Sequence, residues 1–189
     1  MTDIERIESA ARAFNRGDRR SFGAIFDLLS RDICRYVGYR VEDEIEREET
    51  VSDTFFRMLR HGKLPDDADA IRRFAYSVAR SAVIDRYRGR KPTNDLDEAD
   101  LSGKASHNEN HAARIDNADT VARILGYLDT IGSEHKEILI LRVWDDLPYE
   151  GIAAITGKSV DNCKKIVSRV LENVRSNVTY LFFFVLLFR

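Results

Sequence analysis

Residues 147–163 read Leu147-Pro148-Tyr149-Glu150-Gly151-Ile152-Ala153-Ala154-Ile155-Thr156-Gly157-Lys158-Ser159-Val160-Asp161-Asn162-Cys163. Pro148 suits the first turn of a short helix that carries Ile152 and Ala153. Gly157 follows Ala153 by four positions, and Cys163 follows Gly157 by six. A small residue where two helices cross, a glycine for the tight turn and an apolar anchor on the second helix make the spacing of a helix-turn-helix. The second helix is expected to start at Ser159 and to bury Val160, Cys163, Ile166, Val167, Val170, Leu171 and Val174.

That helix faces outward with Ser159, Asp161, Asn162, Lys164, Lys165, Ser168 and Arg169. Hydroxyl, amide and cationic groups in such a row suit base edges and phosphates of a DNA duplex. The competing reading is an ordinary helical hairpin with a solvated face. Thr156 and Lys158 stand at turn positions that are often apolar in such motifs.

Upstream, the apolar pattern is helical nearly throughout. Ile4, Ile7, Ala11 and Phe14 form one stripe, ended by Gly17-Asp18. Phe22, Ile25, Phe26, Leu29, Ile33 and Val37 follow the i, i+3, i+4, i+7 template. Val51, Phe55, Met58 and Leu59 make a third stripe, closed by Gly62 and Pro65. Asp66 to Asp69 can cap a fourth helix burying Ile71, Phe74, Ala75, Val78, Ala79 and Val83, with Gly89 and Pro92 as its stop. A further helix is expected around Val121, Ile124, Leu125 and Leu128, and another, capped by Ser133, around Ile138, Leu141 and Trp144. No stretch alternates convincingly with period two.

Between these blocks the apolar rhythm stops. Residues 93–120 hold seven acids against two bases, and Leu96 and Leu101 are the only large aliphatics before Ile115. The fold expected is therefore all-α: two small helical domains joined by a flexible acidic linker, the second containing the helix-turn-helix. The boundaries are 1–92, a linker at 93–119, a second domain at 120–177 and an apolar tail at 178–189.

Two charged segments stand out in the first domain. Ile71 to Lys91 carries seven bases against the single acid Asp85, with Phe74, Tyr76 and Tyr87 interleaved. Cations for the backbone and aromatic faces for unstacked bases are what single-stranded nucleic acid requires; a solvated basic helix is the plainer alternative. Glu42 to Asp53 is the opposite, with seven acids and only Arg47. A carboxylate pair or metal site is conceivable there, but no histidine is near. An acidic docking surface for a basic partner suits the helical spacing of Glu48, Glu49, Ser52 and Asp53 better, and a solvated face stays open.

Composition excludes several classes. The 189 residues are 43% hydrophobic and 33% charged with a net charge of −2, which argues against a disordered chain, a membrane protein throughout and a histone-like basic coat. Cys34 and Cys163 cannot build a disulfide framework, and both are expected as buried thiols in a reduced, cytoplasmic setting. The segment from Met1 to Ala10 lacks the apolar core of a secretory signal. No phosphate loop, nucleophile elbow or metal-spaced cysteine pair is present, so neither an enzyme nor a cofactor is expected. His107 and His111 stand four apart in the linker but lack a third ligand.

Three segments carry a family resemblance. Arg47-Glu48-Glu49-Thr50-Val51-Ser52-Asp53-Thr54-Phe55 resembles the A-E-D-L-V-Q-E-T-F stretch of bacterial sigma factors. Phe74 through Ser81, then Ile84-Asp85 and Arg88, resembles their W-L-x-x-I-A-x-N-x-x-x-D-x-x-R stretch, and Leu147 to Ala153 their G-L-S-Y-E-E-I-A. With two domains the chain is similar to the extracytoplasmic-function (ECF) type. Phe74 replaces the family tryptophan, Ser81 the asparagine placed near a flipped promoter base, and Gly151 the second glutamate.

The resemblance implies a non-catalytic subunit that gives RNA polymerase its promoter specificity. It implies polymerase docking through Glu48, Glu49, Ser52, Asp53 and Phe56. Phe74, Tyr76, Arg80, Ser81, Arg86, Arg88 and Arg90 would hold the melted promoter element, and the helix from Ser159 would read the upstream element. Core RNA polymerase, promoter DNA and an anti-sigma factor are the implied partners. At ~3.4 Å per residue the linker reaches at most about 95 Å, against about 80 Å between two elements two dozen base pairs apart. A stand-alone helix-turn-helix regulator with an N-terminal sensing or dimerisation module is the alternative.

The tail from Tyr180 to Phe188 is nine consecutive apolar residues before Arg189, too short to span a bilayer, which takes ~20. Folding back on the second domain, docking to a protein partner and lying at a membrane surface compete. Protein contact is the expectation, because an interfacial helix favours a basic face that this run lacks.

Overall fold

A computed structural model describes residues 1–90 and 131–176. The chain divides between Asp95 and Leu96 into two units, each taken by itself below. All regular structure among the described residues is helical. The linker at 93–119, the helix expected around Val121–Leu128, His107, His111 and the apolar tail lie outside the described residues.

In the first unit, α1 (Asp3–Asn15) starts at a reciprocal cap: the Glu5 amide donates to Thr2 Oγ1 at 3.2 Å, and the Thr2 amide to Glu5 Oε2 at 2.8 Å. It buries Ile7, Ala10, Ala11 and Phe14. Ile4, expected in that stripe, is 62% exposed, like every residue before Ile7, where burial begins. A short 3-10 turn (Arg19–Ser21) leads into α2 (Phe22–Gly38), which buries Phe22, Ile25, Leu29, Ile33, Tyr36 and Val37. Phe26 stays at the rim of this core, edge-on to Phe55 with centroids 4.8 Å apart.

Helix α3 (Glu44–His61) is capped by Asp43, which accepts from the Glu46 amide, and it ends at Gly62 in the left-handed region, φ +78°. Its core face includes Thr50 and Thr54 beside Phe55 and Met58. The two threonines return their hydroxyls to the Glu46 and Thr50 carbonyls at 2.7 and 2.8 Å, which lets a polar side chain be buried without loss. The apolar stripe read from sequence missed them and placed there Val51 and Leu59, which are only half-buried.

Helix α4 (Ala68–Arg90) is capped within the expected acidic run, the Ala70 amide donating to Asp67 Oδ1 at 2.8 Å. Ile71, Ala75, Tyr76, Ala79, Ala82 and Val83 are buried, whereas Phe74 and Val78 are half-buried. Gly89 does not stop the helix, which runs through it to Arg90; an interior glycine costs only about 1 kcal/mol. The connection into α4 is stapled to α1 by Asn15, whose carboxamide donates to the Leu64 carbonyl and accepts from the Leu64 amide, both at 2.8 Å.

In the second unit, α5 (Ser133–Val143) begins one residue earlier than a Ser133 cap would require: Gly132 holds the cap position and Ser133 is the first helical residue. Ile138, Leu139, Ile140 and Leu141 are all buried. Pro148 is the cap of α6 (Tyr149–Thr156) and not a residue of its first turn. Gly157 closes α6 at φ +74°, where an L side chain is strained, and α7 (Val160–Ser176) follows. Ser159 caps α7, accepting from the Asn162 amide at 3.2 Å. Ile152, Cys163, Ile166, Val167 and Val170 meet in the core. Cys34, expected to be buried like Cys163, is exposed, since it lies about a quarter-turn round α2 from Ile33, outside the buried face of Ile25, Leu29 and Ile33.

Candidate nucleic-acid interface and docking face

The helix-turn-helix of the second unit presents its expected face. Ser159, Asp161, Asn162, Lys164, Lys165, Ser168 and Arg169 are all exposed along α7, opposite the buried Cys163 row. Thr156 is buried with its hydroxyl on the Ile152 carbonyl at 2.8 Å. Lys158 leaves the turn to pair with Glu134 at 2.7 Å, so both polar turn residues are accommodated.

Around the α6 start lies a cluster that the sequence reading missed. The Tyr149 ring has the Arg142 guanidinium 5.2 Å and the Lys164 ammonium 5.9 Å from its centroid. Arg142 also donates to Asp146 Oδ1 at 3.0 Å and to the Leu147 carbonyl at 3.2 Å. Asp146 sits at φ +46°, a conformation aspartate tolerates better than most residues. The recurrence of Arg142, Asp146 and Tyr149 at helical spacing was the available signal.

On the first unit, Glu48, Glu49, Ser52, Asp53 and Phe56 line one shallow depression on α3. Phe56 is 55% exposed, an unusual cost for a phenylalanine, and Arg60 stacks over its ring at 5.6 Å. Ile45 extends this row towards the helix start and is 69% exposed.

The residues expected on the melted strand do not form one free surface. Ser81 and Arg88 are exposed, and Phe74 is half-buried with its ring against His61 at 4.9 Å. Arg80 is half-buried, and the Arg90 side chain lies outside the described residues. Tyr76 corrects the sequence reading: it is 1% exposed and packs edge-on against Tyr36 at 5.3 Å, because it falls on the core side of α4. Tyr87 is likewise an internal strap, its hydroxyl donating to the Arg40 carbonyl. Burial raises the Tyr87 pKa above its ordinary value, with Arg40 acting in the opposite direction.

Arg86 is folded back onto α3, donating to Glu49 Oε2 at 2.6 Å and Thr50 Oγ1 at 3.1 Å, with Glu46 Oε2 at 3.7 Å. Arg57, another residue the sequence reading passed over, bridges Asp85 at 2.5 Å and Asp53 at 2.8 Å. Its hydrogen bonds to Asp85 and then Asp53 hold its pKa above the usual arginine value. Its position four residues after Asp53 was the visible cue. No group of potential metal ligands occurs among the described residues, and no helix among them is long and apolar enough to cross a membrane.

A basic recognition helix behind a glycine turn, on a unit separate from a helix bundle with an acidic and a basic helix, defines a helix-turn-helix DNA-binding protein. Comparison with known families refines that class. Sigma-70 region 2 matches residues 25–93, and Sigma-70 region 4 matches residues 123–174. The chain is 20% identical to the ECF RNA polymerase sigma factor BldN of Streptomyces coelicolor over 92% of its own length and 66% of that protein's. It is 24% identical to the RNA polymerase sigma factor SigV of Bacillus subtilis over 79% of its own length and 86% of that protein's. The chain belongs to the ECF-type RNA polymerase sigma factors, which are transcription initiation factors and not enzymes. A stand-alone regulator is not favoured, because region 2 occupies the place of a sensing or dimerisation module.

Proposed function

We propose that this chain joins core RNA polymerase as a cytoplasmic, non-catalytic subunit and directs initiation at its own promoters. The α3 row of Glu48, Glu49, Ser52, Asp53 and Phe56 docks on the polymerase clamp. Phe74, Arg80, Ser81, Arg86, Arg88 and Arg90 face the melted element, with Ser81 beside the flipped base. Contacts to the separated strand offset unstacking, a few kcal/mol per extruded base. Helix α7 enters the major groove of the upstream element, where Lys164, Lys165 and Arg169 meet phosphates. The acidic linker follows a basic channel of the polymerase between the two elements.

The observation that carries this reading is the order of region 2 and then region 4 in one chain, each on its own unit. An anti-sigma factor is the regulatory partner proposed for it. The tail from Tyr180 to Phe188 serves as a protein-contact segment dispensable for promoter recognition. The decisive experiment is transcription in vitro with purified core polymerase, with permanganate reactivity reporting strand opening. A chain that neither binds core nor directs initiation at any candidate promoter defeats the proposal.

A further inference from the structure

Two carboxylates of the docking row are already engaged by cations tied to α4. Glu49 pairs with Arg86 at 2.6 Å, and Asp53 pairs with Arg57, which in turn holds Asp85 on α4. The exposures within the first pair are unequal: the Glu49 side chain is 63% exposed and that of Arg86 only 24%. A partner's cation can therefore reach Glu49, while the Arg86 guanidinium stays folded back on α3. An arginine whose charge is already met by a carboxylate gains less from a phosphate than a free one. A pair with one member largely in water is weak, so a competing cation replaces Arg86 on Glu49 without unfolding the helices. Once Glu49 is taken, Arg86 keeps only the longer ties to Thr50 Oγ1 at 3.1 Å and Glu46 Oε2 at 3.7 Å, which a phosphate can replace.

Resting on the reading of α3 as the docking face and α4 as the strand-holding helix, we propose that Glu49–Arg86 is an exchangeable lock. A basic side chain of the polymerase takes Glu49, and Arg86 turns from Glu49 to a phosphate of the melted strand. Docking and strand binding then strengthen one another, and linkage requires the coupling to be the same in both directions.

The test uses the isolated full chain and a fluorescent oligothymidylate, to which backbone contacts are sequence-independent. Glu49→Gln binds about two- to fivefold tighter than wild type, the range an exposed ion pair supplies. Its salt dependence steepens by about 0.7, the slope of one added phosphate contact on a single strand. Glu48→Gln makes the same charge change at an exposed neighbour with no ion pair among the described residues, and gains less. Adding Arg86→Gln to Glu49→Gln removes the gain. Equal gains at Glu48 and Glu49 overturn the lock.

A second arm measures binding to core polymerase without DNA. Arg86→Gln frees Glu49 and tightens core binding about two- to fivefold, by reciprocity and on the same ion-pair scale. Weaker core binding at unchanged melting temperature makes Arg86 a strut and overturns the exchange. A wild-type chain that does not bind core at all defeats the docking reading instead, and the oligothymidylate arm still decides the lock.

Discussion

Helices α4 and α7 are both basic, both amphipathic and both read from sequence as nucleic-acid surfaces, yet they hold their cations differently. On α7, Lys164, Lys165 and Arg169 are exposed and form no ion pair among the described residues. On α4, Arg86 is drawn onto Glu49, Glu46 and Thr50, and Arg72 lies 3.6 Å from Asp32. The difference follows from the neighbours. Helix α7 packs through its Cys163, Ile166, Val167 and Val170 face and leaves its cations in water, whereas Arg86 lies on the side of α4 that meets α3, the most acidic helix among the described residues. A cation turned away from its neighbours is ready for a phosphate on first encounter. A cation beside a carboxylate must first be released.

The largest expected effect tests that contrast directly. Replacing Lys164, Lys165 and Arg169 with glutamine lowers affinity for upstream duplex roughly 10- to 100-fold at moderate salt, and flattens the salt slope by about 2.7. Replacing Arg86 and Arg88 instead leaves duplex binding nearly unchanged and reduces permanganate-detected opening in the presence of polymerase. Equal losses of duplex affinity from both sets break the comparison.

The turn that presents α7 is next. Gly157→Ala forces a side chain into the left-handed region and costs about 1–2 kcal/mol, read as lowered unfolding free energy of the second unit. The Cβ meets no atom within 4 Å, so the loss is conformational and the α7 surface survives at lower temperature. On the first unit, Asn15→Ala removes both hydrogen bonds to Leu64 and costs about 1–3 kcal/mol, since the Leu64 polar groups lose their partner. Denaturant unfolding of this variant measures how far α1, outside the matched region 2, supports the bundle.

The smallest effect is expected at Tyr87. Tyr87→Phe removes the strap to the Arg40 carbonyl at a cost of about 1 kcal/mol. Because burial raises the Tyr87 pKa in the folded state, its contribution is fully present below the unfolded value of 10.0 and is lost as pH rises through the folded value. Melting temperature therefore falls more steeply above pH ~10 for wild type than for Tyr87→Phe. Parallel curves sink the assignment.

Much of the site was legible because it lies along single helices. The exposed face of α7 and the row of Glu48, Glu49, Ser52, Asp53 and Phe56 on α3 are fixed by a 3.6-residue period that can be drawn from the sequence. Tyr76 and Tyr87 were misread together, as aromatic faces free for a nucleic acid, and the tie of Arg86 to α3 was not foreseen. Composition does not say which side of a helix faces a neighbour. Tyr76 lies at the border of the apolar stripe, where one residue's rotation separates core from surface. Thr50 and Thr54 were missed for the related reason that their hydroxyls find partners inside their own helix.

By itself, then, the sequence determined the helical class, the acidic break between the two helical blocks, the glycine turn and the polarity of each helix face. These depend on neighbours three or four positions apart and on local backbone preference. Only the tertiary structure decided where charges from different helices meet. That Arg86 answers to Glu49, that Arg57 joins Asp53 to Asp85 and that Tyr87 straps the Arg40 carbonyl are contacts across 28 to 47 residues of chain. Their existence depends on the packing of α3 against α4 and of both against α2. No periodicity within one helix encodes such a distance.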